Sequence, residues 1–140
     1  MNLILFVGSN PSNASTCDIA FHWATRSSQI LTSWCKDVTG HLTHINVMNE
    51  KTEDNRPLKK SEIKLNLERL KNEIDAIKPN RIVALGRTAT TALTLLGVEF
   101  YEMPHPSGSN RKLNDKLFVA EKIKGLTEFC NKVNPNTDSN

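Results

Sequence analysis

The sequence predicts an α/β protein: a three-layer α/β/α sandwich around a central four-stranded parallel sheet. Three observations carry that prediction. Four short apolar or β-branched runs alternate with helical segments, giving strand–helix–strand–helix–strand–helix–strand–helix, and regular alternation of this kind builds a parallel sheet covered on both faces. "LILFV" (3–7) and "RIVALG" (81–86) are almost continuously apolar, as strands buried on both faces are. No repeat and no linker divides the chain, so residues 1–133 read as one domain, followed by a polar tail, 134–140, expected to be disordered.

The elements follow in order. The run 3–7 is the first strand, broken at Gly8 by "SNPSNASTCD" (9–18), a loop by its Ser, Asn and Pro content. A helix is expected within 18–36, with Ile19, Trp23, Ile30, Leu31 and Trp34 available for burial. "HLTHINV" (41–47) is alternating and β-branched enough to be the second strand, and "NEKTEDNRPLKK" (49–60) is a polar, mobile loop. Residues 61–78 carry the clearest helical period: Ile63, Leu67, Leu70, Ile74 and Ile77 recur at spacings of three and four, and Pro79 stops the helix. After the third strand, Gly86 hands over to the helix "RTATTALTLLG", closed by Gly97. "VEFYEM" (98–103) is a short fourth strand, "PHPSGSNRKLND" a loop, and 115–132 the last helix.

Composition sets bounds. At 140 residues the chain is long enough to bury roughly two-thirds of its unfolded surface. A formal net charge of +3 is compatible with a polyanionic partner without demanding one. Cys17, Cys35 and Cys130 are dispersed with no CxxC pair, so zinc and iron–sulfur spacings are absent and the thiols read as reduced. The N-terminal apolar run lacks a basic flank or cleavage pattern, and no run approaches membrane-spanning length. The expectation is a cytoplasmic monomer without metal or cofactor. His22, His41 and His44 do not have metal-ligand spacing and read as structural.

Common catalytic signatures are missing: no GxGxxG, no GxxxxGK[ST], no GxSxG elbow and no HExxH. What remains is positional. Asn10, Asn46, Arg87 and His105 all fall just past predicted strand ends, where open α/β sheets collect their ligands. Two loops also share an x-Pro-Ser character, Asn10-Pro11-Ser12 and His105-Pro106-Ser107. Taken singly, an Asn-Pro-Ser is a turn former, a lone His is a structural residue, and Trp23 and Trp34 are core. It is their joint occurrence at successive strand ends that marks a site.

"GSNPSNAS" resembles the first motif of the uracil-DNA glycosylase superfamily, and "HPSGSNR" resembles its second, the loop that reaches into the DNA minor groove. Between them, "HINVMNEK" is similar to the strand whose terminal Asn reads the uracil edge, "RIVALGRTATTAL" to the strand–turn–helix before the second motif, and "FHWATRSSQIL", more loosely, to the segment with the base-stacking aromatic. The resemblance spans roughly 3–125 in family order, closest in motif type to the single-strand-selective and mismatch-specific branches. It implies a monofunctional glycosylase acting on single-stranded DNA or on a duplex with the base flipped out. Asn10 would position water and His105 would donate to uracil O2. Gly8, Ser9, Phe21, Trp23 and Asn46 would surround the base, Trp23 or Phe21 stacking on it and Asn46 pairing with N3 and O4. Pro11, Ser12, Arg87, Pro106, Ser107, Gly108, Ser109, Asn110 and Arg111 would lie along the DNA.

Those roles are chemically coherent. Glycosidic cleavage builds negative charge on the departing base, where a neutral donor is worth about 2.7–4 kcal/mol. An Asn at position 10 can only orient water, so catalysis is expected to be slower than with a carboxylate. Relative to the family pattern, little chain precedes the first motif, the cysteines cannot supply an iron–sulfur cluster, and "PSNASTCD" offers no Tyr to exclude thymine's methyl group. Two other readings share these residues: a base- or nucleotide-binding protein on this fold that does not hydrolyse or acts on free modified nucleotides, and a general α/β nucleotide-binding module.

Overall fold

The computed structural model describes residues 2–9, 26–49, 58–106 and 111–131. Among these, the strands are β1 (Leu3–Gly8), β2 (His41–Asn46), β3 (Arg81–Leu85) and β4 (Tyr101–Met103), and the helices are α1 (Arg26–Trp34), α2 (Lys60–Ile77), α3 (Arg87–Leu96) and α4 (Lys116–Asn131). All strand pairs are parallel, in the order β2-β1-β3-β4. The N-terminal strand therefore lies inside the sheet, between β2 and β3.

Strand pleating distributes the core onto two faces. Leu5 and Val7 of β1 and Ile82 and Ala84 of β3 join Ile63, Leu70 and Ile74 of α2 and Ala89, Ala92 and Leu93 of α3. Ile4 and Phe6, with Val83 and Leu85, join Leu31 and Trp34 of α1 and Leu126 and Cys130 of α4. The three-layer sandwich follows: α2 and α3 on one face, α1 and α4 on the other. No helix among the described residues is long and apolar enough to cross a membrane.

The ends of the elements differ from the sequence expectations for identifiable reasons. The described part of the first helix stops at Trp34, and Cys35–Asp37 form a turn in which Val38 N–H donates to Cys35 O at 3.0 Å. The fourth strand begins at Tyr101 instead of 98, because Val98 still belongs to the helix cap, its N–H donating to Leu93 O at 3.4 Å beside the left-handed Gly97. Helix α2 starts where Lys59 N–H donates to Glu62 Oε1 at 2.8 Å and ends on Lys78, a non-glycine residue at φ 54° ahead of Pro79. The expected loop within 9–18, apart from Ser9, the start of the helix in 18–25, most of the 49–60 loop and the tail lie outside the described residues.

Candidate functional site

The four strands end in one row. Gly8 pairs with Asn46, Leu85 with Met103, and Val7 with Ala84, so continuing the register by one residue sets Gly8 beside Leu85. Across the carboxyl edge the order is Asn46, Gly8, Leu85, Met103, about 14 Å from the first strand to the last by ordinary strand spacing. The change of winding direction falls between β1 and β3, where a crevice opens in sheets of this order. Gly8 closes β1 and Gly86 follows β3, so the two strands flanking that point both give way to residues without side chains.

Asn46 forms one flank. It is 4% exposed and is the polar residue found among the buried side chains of the described set. The chain beyond it stays parallel to the chain leaving β1: Val47 N–H donates to Gly8 O at 2.9 Å and Met48 N–H to Ser9 O at 3.0 Å. Arg69 of α2 donates from Nη2 to Asn46 O at 3.2 Å and to Val47 O, while its Nη1 is paired with Glu73. A buried amide thus stands at a strand end whose backbone is held from two sides.

His105 forms the other flank. Pro104 and Pro106, both buried, fix the backbone on either side of it. Beneath it, Gly86 N–H donates to Met103 O at 2.8 Å, and Gly86 has φ 94° and ψ 178°. A Cβ at Gly86 would stand 3.0 Å from His105 Cβ, so the third strand and the His105 loop approach as closely as they do only because position 86 is glycine. Burial pulls the His105 imidazole below its ordinary range, which keeps it neutral near pH 7: a hydrogen-bond donor without a charge to desolvate. A cavity of about 410 Å³ opens beside it, lined by Gly86, Arg87, His105, Phe118 and Lys122 among others.

The sequence-predicted residues fall into three groups. Asn46, Gly8, Ser9, Arg87, His105 and Pro106 are described and gather at this edge, Arg87 opening α3 next to Gly86. Arg111 opens a short 3₁₀ turn, Arg111–Asn114, and its side chain lies outside the described set. Asn10, Pro11, Ser12, Phe21, Trp23, Ser107, Gly108, Ser109 and Asn110 lie outside the described residues. Among the described residues no three His, Cys, Asp or Glu side chains form a group able to hold a metal. Two contributors were missed from the sequence. Arg69 was not singled out in the helix 61–78, and the backbone contact that distinguishes it leaves no local signal. Gly86 read as an ordinary strand–helix turn, although its position directly after a buried strand was visible.

The expected structural His44 is half-buried and stacks on Phe6 with ring centroids 5.4 Å apart, its pKa lowered to about 4 by desolvation. It belongs to the sheet interior and not to the strand-end row.

Residues 3–126 match the sequence profile of the Uracil DNA glycosylase superfamily. No curated protein matches the chain.

Proposed function

The chain belongs to the uracil DNA glycosylase superfamily, and from that premise we propose that it hydrolyses the N-glycosidic bond of uracil, or of a related modified pyrimidine, in DNA. The observation that carries the reading is the single row of strand ends, with a buried amide at Asn46 on one flank and a neutral imidazole at His105 on the other.

In this reading the target nucleotide leaves the base stack and its base enters between the two flanks, at a cost of a few kcal/mol that is smallest in single strands or mismatches. The amide of Asn46 pairs with the N3–H and O4 edge, donor to acceptor. Cytosine inverts that pattern and leaves buried groups unpaired, the condition under which a polar pocket discriminates strongly. As the C1′–N1 bond lengthens, negative charge gathers on the base, and His105 donates to O2, a contribution of about 2.7–4 kcal/mol. A water held by Asn10 adds to C1′, loses its proton to solvent, and the base departs as an anion that is protonated on release. Neutrality at position 105 suits this role, since the donor then acts on the developing charge without a desolvated cation in the resting site. In this reading Arg87, which opens α3 beside Gly86, and Arg111 meet the DNA backbone, and salt should weaken binding accordingly.

The test is base release from a labelled oligonucleotide holding one uracil, single-stranded and paired, followed by alkaline cleavage at the abasic site. Release by the wild type in the presence of chelator, lost in Asn10→Ala and His105→Ala, is the expected result. No release from uracil, hypoxanthine, mismatched thymine or hydroxymethyl-pyrimidine substrates would overturn the proposal in favour of base binding without hydrolysis.

A further inference from the structure

We propose that Arg69 is a positioning residue for base recognition, fixing the direction of the Asn46 amide from outside the sheet; this rests on the reading of Asn46 given above. Among the described residues, strand β2 lies at the sheet edge, with β1 on one side and no strand on the other. Val47 N–H is turned toward Gly8 O, so by strand alternation the Asn46 carbonyl faces the open edge. A buried carbonyl without a partner costs as much as a lost hydrogen bond. Asn46, Val47 and Met48 are all buried, yet among the described residues no fifth strand lies there to satisfy them.

Arg69 takes the place of that strand. Its Nη2 donates to both Asn46 O and Val47 O, two consecutive carbonyls, one at the strand end and one beyond it. Two carbonyls converging on one nitrogen require the backbone to turn between them, and it is this turn that sets the Cα–Cβ direction of Asn46. The guanidinium is itself held in rotation by Glu73, one helical turn further along α2, on Nη1. The arrangement uses the planar fork that lysine lacks. It also carries the interaction from α2 to the strand end.

Asn46 grips the base before and during bond cleavage, so disturbing its direction should weaken ground-state and transition-state binding alike and appear in KM. His105, acting on charge that exists only as the bond breaks, should appear in kcat. The experiment compares Arg69→Met, Arg69→Lys and Glu73→Gln with wild type in the full chain. It measures kcat and KM on the uracil oligonucleotide and, independently, the NMR resonances of the Asn46 side-chain amide, assigned with Asn46→Ala, with and without added free uracil. Arg69→Met is expected to raise KM by between ~10-fold and ~100-fold with a smaller change in kcat, and to move the Asn46 amide resonances. Arg69→Lys should recover part of both effects, and Glu73→Gln should show a weaker version, which keeps the test open if Arg69→Met does not fold. Unchanged Asn46 resonances and KM in folded Arg69 variants, or an equal loss of kcat in Arg69→Met and Arg69→Lys at constant KM, would overturn the proposal. If the wild type releases no base, the hydrolytic reading fails, while movement of the Asn46 resonances still upholds the positioning by Arg69.

Discussion

Gly86→Ala probes how tightly the His105 loop is tied to the end of β3. Gly86 sits at φ 94° and ψ 178°, a conformation occupied essentially by glycine alone, so a methyl there carries about 1–3 kcal/mol of strain before any contact is counted. The contact adds to it: the new Cβ would lie 3.0 Å from His105 Cβ and 3.5 Å from His105 Cδ2, where ordinary contact begins at 3.4 Å. His105 must give by a few tenths of an ångström, and its flanking prolines leave it little freedom to do so. Gly97→Ala is the matching control, because Gly97 is also left-handed at φ 71° but has nothing within 4 Å of an added Cβ. Its cost is the left-handed penalty alone, roughly 1–2 kcal/mol. Urea unfolding and single-turnover base release, run on both variants, separate the two effects. Gly97→Ala should lower the unfolding midpoint and leave the rate constant alone. Gly86→Ala should lower both, the rate by ~10-fold or more from misplacement of the donor. A Gly86→Ala protein that loses stability but releases base at the wild-type rate would show that His105 does not depend on this contact for its position.

Three further outcomes are expected. His44 titrates near 4 in the fold against about 6.5 unfolded, so between those values the unfolded chain binds a proton that the native state refuses. Stability is therefore full above pH 6.5 and falls by about 3 kcal/mol as pH drops toward 4; His105, also lowered by burial, adds in the same direction, and His44→Phe should flatten the pH dependence of the melting temperature. Lys78→Gly removes a side chain from φ 54° and should raise the urea midpoint, a gain of about 0.5–1 kcal/mol. Leu70→Ala, at a fully buried position where α2 meets the sheet, should cost about 3–5 kcal/mol in the same assay.

Much of the fold was legible because apolar runs and periods report burial directly. The strands 3–7, 41–47 and 81–86 and the helix 61–78 match the observed elements to within about two residues, and the layering follows from their alternation. Strand order was not legible, since period-two patterning says which face a residue takes and not which strand lies beside it. The left-handed Lys78 was hidden because only glycine or asparagine advertises that conformation. At the candidate site, Asn46, Arg87 and His105 were expected from their places at or just past strand ends, and they gather at one edge of the sheet. Arg69 was not: its importance lies in two main-chain carbonyls, and the main chain is the same whatever the sequence.

The inner placement of β1 has a consequence for how the chain comes together. Strand β1 must wait for β3, more than seventy positions later in the chain, before its second neighbour exists; Leu3 N–H, for instance, is satisfied by the Asn80 side chain at 2.8 Å. Until then Leu3–Val7, five apolar residues without a charge, has one open edge at best, the kind of segment that associates with other chains. Closure over so long a separation is slow. Yield in vivo should accordingly depend on chaperone supply and on expression temperature more than native stability alone would indicate, and measuring soluble yield at low and high temperature would check it.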